Sequence, residues 1–271
     1  MTYLSIPDLL SASLVSSYWR NTSARPQLWQ DGTLEVTSLV QSCASVRFKQ
    51  RYVYLKDVKE RIRHVGGILS SHIDDAHFAG ISSFFPNLRR MELIDCKISP
   101  ETFMQVLWKL RHTVDTLVLQ SSPISDQVVE FIGTHLKLKT LKLSKCNVSP
   151  NTLVACLEKS RHLEHLGLSA VYTLDDSSLY TLFPAIVSLP DLKTLDLSKN
   201  SSAITYHTLR TLVSDLTGGP VQITVKDCEQ LTQKDVQTIE SLGKVTLVSN
   251  AALFDYSLQS VRDYLDFVLA H

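Results

Sequence analysis

The feature that most narrows what this chain can fold into is a nine-residue phrase, LxxLxLxx(C/N), that keeps returning. Its clearest copies are LRRMELIDC from Leu88, LKTLKLSKC from Leu138 and LKTLDLSKN from Leu192. Weaker copies are VDTLVLQSS from Val114, LEHLGLSAV from Leu163, PVQITVKDC from Pro220 and LGKVTLVSN from Leu242. Successive starts lie 26, 24, 25, 29, 28 and 22 residues apart. The alternation inside the phrase, as in Leu117 and Leu119 or Leu141 and Leu143, is the period of a strand with one face turned inward. A further apolar residue follows six of the seven copies: Ile98, Ile124, Val148, Leu174, Ile204 or Leu231. Then comes a helix start. Ser99 with Pro100, and Ser149 with Pro150, place an N-cap hydroxyl before a proline at the first helical position, and Ser125, Asp175, Thr205 and Thr232 suit the same role. Beyond the caps the spacing turns helical, as in Phe103, Val106, Leu107 and Leu110, or Val236, Ile239 and Leu242.

A strand–helix unit cannot bury its apolar face alone, so such units stack, and a period of this size is that of the leucine-rich repeat. The expected fold is α/β: a leucine-rich-repeat solenoid over residues 32–271, with a curved parallel sheet, outer helices and strands beginning near Leu88, Val114, Leu138, Leu163, Leu192, Val221 and Lys244. Upstream, IDDAHFAGI from Ile73 parallels ISPETFMQV from Ile98, which implies an earlier repeat with a strand around Val65 to Ile68, its register blurred by Gly66 and Gly67. Arg51 to Leu55 and Thr33 to Val36 read as short strands. Phe254, Leu258, Val261, Leu265 and Val268 fall at helical spacing, as a capping helix near 253–270 or a partner-binding amphipathic helix requires.

The ninth position of the phrase, held by Cys96, Cys146, Asn200, Cys228 and Asn250, lies where the chain leaves the strand and its backbone groups need partners. An amide supplies them, and a thiol is a small donor that can substitute. Ser122 and Val171 take this place in weaker copies. The chain has five cysteines, spread without a CxxC pair, so neither a disulfide framework nor a structural zinc site is expected.

Composition excludes several function classes. Lys plus Arg and Asp plus Glu both number 27, so no global charge draws the chain to nucleic acid or anionic lipid. The basic cluster Arg47, Lys49, Arg51, Lys56, Lys59, Arg61 and Arg63 is diluted by Asp57 and Glu60 and reads as a solvated rim or a contact for an acidic protein. The uncharged run from Ser177 to Pro190 is too short to span a membrane. The apolar start, broken by Asp8, is no secretory signal, which sets the expected location in the cytoplasm, the nucleus or both. His162 and His165 lack the spacing and the third ligand of a metal site, and no nucleophile–base or phosphate-cradling motif is present. The reading is a chain without catalysis, metal or cofactor.

A binding surface is expected on the concave sheet, where the third, fifth and seventh positions of the phrase point outward. Candidate target-binding residues are Arg90, Glu92, Lys142, His165, Asp196 and Lys226, in rows that also hold Lys244, Thr246 and Val248 of the last copy. Most row residues are small and polar, which suits an extended protein contact rather than a small-molecule pocket. Lys142, Lys145, Lys199 and Lys226 bias the middle and C-terminal part toward an acidic or phosphorylated segment.

Residues 3 to 30 do not follow the repeat. Ile6, Leu9, Leu10, Leu14, Val15 and Trp19 form an apolar stripe at helical spacing, started by Pro7 and Asp8 and ending near Asn21, and Pro26, Leu28 and Trp29 form a second anchor. Tyr3, Leu4, Asp8, Leu9, Leu10, Ser13, Leu14, Val15, Trp19, Leu28 and Trp29 together resemble the middle and end of an F-box. Followed by the repeats, this stretch makes the chain similar to the F-box/leucine-rich-repeat proteins, the substrate receptors of SCF-type cullin–RING ubiquitin ligases. The resemblance implies a helical partial F-box over residues 1–31 that lacks the family's first helix. It further implies an SCF adaptor bound through Leu9, Leu10, Leu14, Val15 and Trp19, a cullin scaffold behind it and a target protein on the repeats. The rival reading is a leucine-rich-repeat scaffold or inhibitor without a ligase role, in which the N-terminal stretch only caps the solenoid.

Overall fold

The structure, a computed structural model, describes residues 8, 9, 12, 15–23, 25–30, 32–35, 65–122, 124–201, 203–216 and 218–249. The strand expected at 51–55, the capping helix at 253–270, Cys43 and Asn250 lie outside the described residues, as do Leu10 and Leu14.

Nine parallel strands form one sheet in chain order. They are β1 (Thr33–Glu35), β2 (Gly67–Ser71), β3 (Arg90–Ile94), β4 (Thr116–Gln120), β5 (Thr140–Ser144), β6 (His165–Gly167), β7 (Thr194–Asp196), β8 (Val221–Thr224) and β9 (Val245–Val248). The helices are α1 (Ser17–Ser23) and α2 (Gln27–Gln30) before the sheet, α3 (Asp75–Ala79) and α4 (Ile81–Phe84) after β2, and then one between each pair of strands. These are α5 (Pro100–Leu110), α6 (Asp126–His135), α7 (Pro150–Lys159), α8 (Asp176–Val187), α9 (Tyr206–Asp215) and α10 (Gln233–Glu240). The parallel stack follows from the connections: a strand, a corner and a returning helix leave the next strand pointing the same way.

The fourth position of the phrase makes the spine of the core. Ile68, Met91, Leu117, Leu141, Leu166, Leu195, Ile223 and Leu247 pair rung to rung. Leu117 and Leu195 have no solvent exposure, and Leu141 and Leu166 have 1%. Helix residues close the other side: Phe103, Val106, Leu107 and Leu110 of α5 are buried, and Phe103 stacks on Phe78 of α3 at 5.4 Å. The expected N-caps are in place. Ser99, Ser149, Asp175, Thr205 and Thr232 each accept from the backbone of the first helical turn, whereas Ser125 occupies the cap position with its hydroxyl unbonded. At Asp175, donation from Ser178 and Ser177 holds the carboxyl down at about 2.

The corners repeat as regularly as the strands. The residue at position eight is left-handed in seven successive units: His72, Asp95, Ser121, Lys145, Ala170, Lys199 and Asp227, with φ between 50° and 62°. None is glycine. Each of the first six donates its N–H to the position-seven carbonyl of the following unit, at 2.8–3.1 Å, which carries the ladder one rung beyond the strand. Position nine then turns inward. Cys96 Sγ donates to Ser70 O and Ile94 O, Cys146 Sγ to Leu119 O and Ser144 O, and Cys228 Sγ to Leu197 O and Lys226 O. Asn200 does the same with an amide, from Nδ2 to Leu168 O at 2.7 Å and Leu197 O at 2.9 Å, while its Oδ1 accepts from Val171 N at 3.0 Å. The thiols stand where the sequence placed them, as donors to the corner.

Three details differ from the sequence reading. The last strand is shifted by two residues: Ile223 pairs with Leu247, so Thr246 and Val248, not Lys244 and Thr246, continue the third and fifth rows. Lys244 instead donates to Ser214 O and Leu216 O at the end of α9, and Leu242, with no core layer to enter, is 44% exposed. The earliest repeat exists, but its strand is Gly67–Ser71, two residues later than expected. The N-terminal stripe is not one helix. Val15 sits in a turn whose N–H donates to Ala12 O, and Ser16 Oγ accepts from Trp19 N to start α1 afresh, as a serine favours a cap over a helix interior.

Because the fourth-position leucines are enclosed on all sides, Leu141→Ala should cost about 2 to 5 kcal/mol in reversible denaturant unfolding. A loss under about 1 kcal/mol would place Leu141 outside a packed ladder.

Candidate functional site

Two surfaces bear the residues singled out from the sequence. The first is the sheet face turned away from the helices. Its third-position row runs Arg90, Thr116, Thr140, His165, Thr194, Gln222, Thr246, and its fifth-position row runs Glu92, Val118, Lys142, Gly167, Asp196, Thr224, Val248. Lys142 and Asp196 therefore flank Gly167 in one row, while His165 lies in the neighbouring row, where its Nδ1 is 2.9 Å from Thr194 Oγ1. Gly167 is bare because Lys142 covers it: a Cβ there would stand 2.9 Å from Lys142 Cγ. Gly67 plays the same part under Arg90, whose Nη1 reaches Thr33 Oγ1 across it at 3.4 Å. Arg90 thus reaches along the face to the neighbouring strands, and the stem of Lys142 begins over Gly167.

The seventh row is Ser71, Ile94, Gln120, Ser144, then Ser169, Ser198 and Lys226 by motif position. Ser198 is buried and accepts from Lys226 N at 3.1 Å, so it serves the corner, whereas the Lys226 side chain is exposed. Lys145 and Lys199 belong to the left-handed corner positions and line the rim, where Lys199 is 4.0 Å from Asp227. Cations and carboxylates are interspersed along the face, and its polar groups are hydroxyls, amides and one imidazole. That composition makes modest contacts over a long surface.

The second surface is the N-terminal module. Trp29 has no solvent exposure, and its indole Nε1 donates to Ser23 O at 2.7 Å. The module joins the solenoid by backbone: Gly66 N donates to Trp29 O at 3.2 Å, and a Cβ on Gly66 would stand 1.8 Å from Gln30 O. Only glycine permits that approach. Leu9 is 1% exposed and belongs to the core, so it is not displayed to a partner as the sequence reading expected. Val15 and Trp19 are displayed, at 73% and 38% exposure, together with Tyr18 at 71%, a residue the sequence reading passed over. Tyr18 and Trp19 meet edge to face at 6.3 Å.

Comparison with known proteins bears on the N-terminal module. Residues 1–35 match the F-box-like family model. The matched segment is followed by the solenoid of strand–helix repeats described above. Similar solved structures include an internalin from Listeria monocytogenes, 17% identical over 72% of this chain with a TM-score of 0.37, and the yeast complex of Rad7 and Elc1, 8% identical over 92% of this chain with a TM-score of 0.33. The match takes in 51% of the internalin chain and 98% of the other, so this chain spans about half the internalin's length. No curated protein matches it.

Among the described residues no three His, Cys, Asp or Glu side chains come together as metal ligands, and no helix is long and apolar enough to cross a membrane. The four described cysteines are free and buried, and burial pushes the thiols of Cys146 and Cys156 up to about 11. A thiol kept protonated is a poor nucleophile. Alkylation of the native protein with iodoacetamide near pH 8, followed by peptide mapping, should leave Cys96, Cys146, Cys156 and Cys228 unlabelled, and labelling should appear only in denaturant. Rapid native labelling of Cys146 would contradict its place in the corner.

Proposed function

We propose that this chain is the target-binding subunit of an SCF-type cullin–RING ubiquitin ligase, with its N-terminal module docking on the SCF adaptor and its repeats holding a target protein. The observation that carries the reading is the F-box-like match over residues 1–35, set directly against a solenoid in which, among the described residues, no element packs on one face of the sheet. Val15, Tyr18 and Trp19 supply exposed apolar and aromatic surface on the module, the kind of anchor that protein interfaces concentrate. Trp29 and Gly66 tie the module to the first repeat, so a target on the sheet would be held at a fixed offset from the adaptor. The chain's contribution to ubiquitin transfer is then proximity and orientation. On the sheet, Arg90, Glu92, Lys142, His165, Asp196 and Lys226 form the proposed contact set, with Lys142 and Lys226 attracting an acidic or phosphorylated segment of the target. The site of action is the cytoplasm or nucleus, where such ligases work.

Co-purification with the SCF adaptor and cullin tests the first half. Val15→Asp and Trp19→Asp should each weaken adaptor capture by about tenfold or more with the melting temperature unchanged, since both side chains are exposed. Capture that survives both changes would favour a leucine-rich-repeat scaffold with no ligase role. For the second half, Lys142→Glu with Lys226→Glu should reduce capture of the target in a salt-dependent way, and Lys159→Glu on α7 should not.

A further inference from the structure

A cleft of about 670 Å³ opens at the edge where β3, β4 and β5 begin, away from the sheet face and bordered on one side by Gln30 and Gly66, where the N-terminal module meets the solenoid. Its volume is that of a ligand site. Among the described residues its lining brings together Arg89, Arg111, His112, His135 and Lys137, against a single carboxylate, Asp115. The positions come from three successive units: Arg89 precedes β3, Arg111 and His112 follow α5, Asp115 precedes β4, His135 ends α6, and Lys137 leads into β5.

The charges here are left over. At position two of the phrase the chain alternates sign, with Arg89, Asp115, Lys139, Glu164 and Lys193 in successive units. Farther along, that alternation closes into a network: Glu164 pairs with Lys139 at 3.3 Å and with Lys193, and both pairs pull its carboxyl below the usual range. At the cleft it does not close. Asp115 Oδ1 accepts from the Thr116 hydroxyl at 2.9 Å, and neither Arg89 nor Lys137 has an ion-pair partner among the described residues. Both are exposed.

One cation is also fixed in place. The Arg111 guanidinium sits 4.1 Å over the Trp108 ring and donates from Nη1 to Trp108 O at 2.6 Å. Trp108 is braced by His135 at 5.4 Å and Phe131 at 6.4 Å, with Phe131 and His135 stacked at 4.4 Å. Contacts to the last carbonyls of α5 and α6 account for Arg111 and His135 as helix-end residues, but Arg89 and Lys137 make no such contact. A guanidinium already ordered on an aromatic ring loses little freedom when it meets a carboxylate, and its planar fork suits that partner.

We propose that this cleft binds an acidic peptide segment of a partner protein, with carboxylates engaging Arg89, Arg111 and Lys137 and the half-exposed Trp108 offering a shelf for a flanking apolar side chain. A peptide fits better than one small anion because the cations are dealt out over three units. The site is separate from the sheet face and stands whether or not the ligase reading does.

The test is fluorescence anisotropy of the full chain with a fluorescein-labelled oligoglutamate peptide, with oligoglutamine as the neutral control. Saturable binding of the glutamate peptide alone is expected, weakened about tenfold by Arg89→Gln with Lys137→Gln. These exposed residues should leave the melting temperature unchanged. Lys142→Gln with Lys226→Gln reads the sheet face separately, and a smaller effect is expected there. No saturable binding would overturn the proposal. So would a loss confined to the sheet-face pair, an equal loss with the remote α10 variant Lys234→Gln, or full displacement by an equal concentration of inorganic phosphate.

Discussion

Everything in this protein hangs on how the chain leaves each strand. A parallel stack of short strands exposes carbonyls at every corner, and a buried carbonyl without a donor costs about 1 to 3 kcal/mol. Position eight answers with a left-handed residue whose N–H reaches the next unit, and at four corners position nine, as Cys96, Cys146, Asn200 or Cys228, adds a side chain that donates both to its own unit and to the one before it. The corner thus links three neighbouring units. With the corners set, the register of the fourth-position ladder is fixed, and with it the rows on the uncovered face.

Left-handed backbone is unfavourable for residues with a Cβ, by roughly 1 to 2 kcal/mol each. Seven non-glycine residues adopt it here, so the stack must supply more than it loses at each corner. It does so by repetition: every unit adds a layer of buried leucine and another rung of backbone bonds, which is how solenoids gain stability, through nearest neighbours. The F-box-like module joins by the same means. Gly66 lets its backbone continue the stack, and Trp29 is buried with its indole bonded to Ser23 O. That packing ties the F-box-like module to the first strands of the sheet.

The parts of this architecture governed by period were legible in the sequence. The buried leucines, the caps at Ser99, Ser149, Asp175, Thr205 and Thr232 and the donor role of the position-nine cysteines all follow from residue type at fixed spacing. Position eight was not legible, because histidine, aspartate, serine, lysine and alanine share no property that announces positive φ. The phrase misled at Leu242, where a leucine with the right neighbours stands two residues out of register and the true first position is Lys244. A polar residue suffices there because its stem covers the end of α9 while its ammonium caps two carbonyls. In the N-terminal module the apolar stripe was visible, but which of its members face outward depends on the cap at Ser16. Leu9 went inward and Tyr18 outward. The cleft beside Arg89 was invisible for a different reason: its cations are dispersed from 89 to 137 and only the stacking of units gathers them.

The corner can be tested by residue-resolved amide hydrogen exchange of the native protein. Asp95, Lys145 and Lys199 have exposed side chains on loops, where exchange is ordinarily fast, yet each N–H donates to the next unit at 2.8–3.1 Å. The account predicts that these three amides exchange as slowly as those of the adjoining strand residues Leu93, Leu143 and Leu195. Exchange at the rate of an unprotected loop, with the strands still protected, would show that the units stack without their corners and would contradict it.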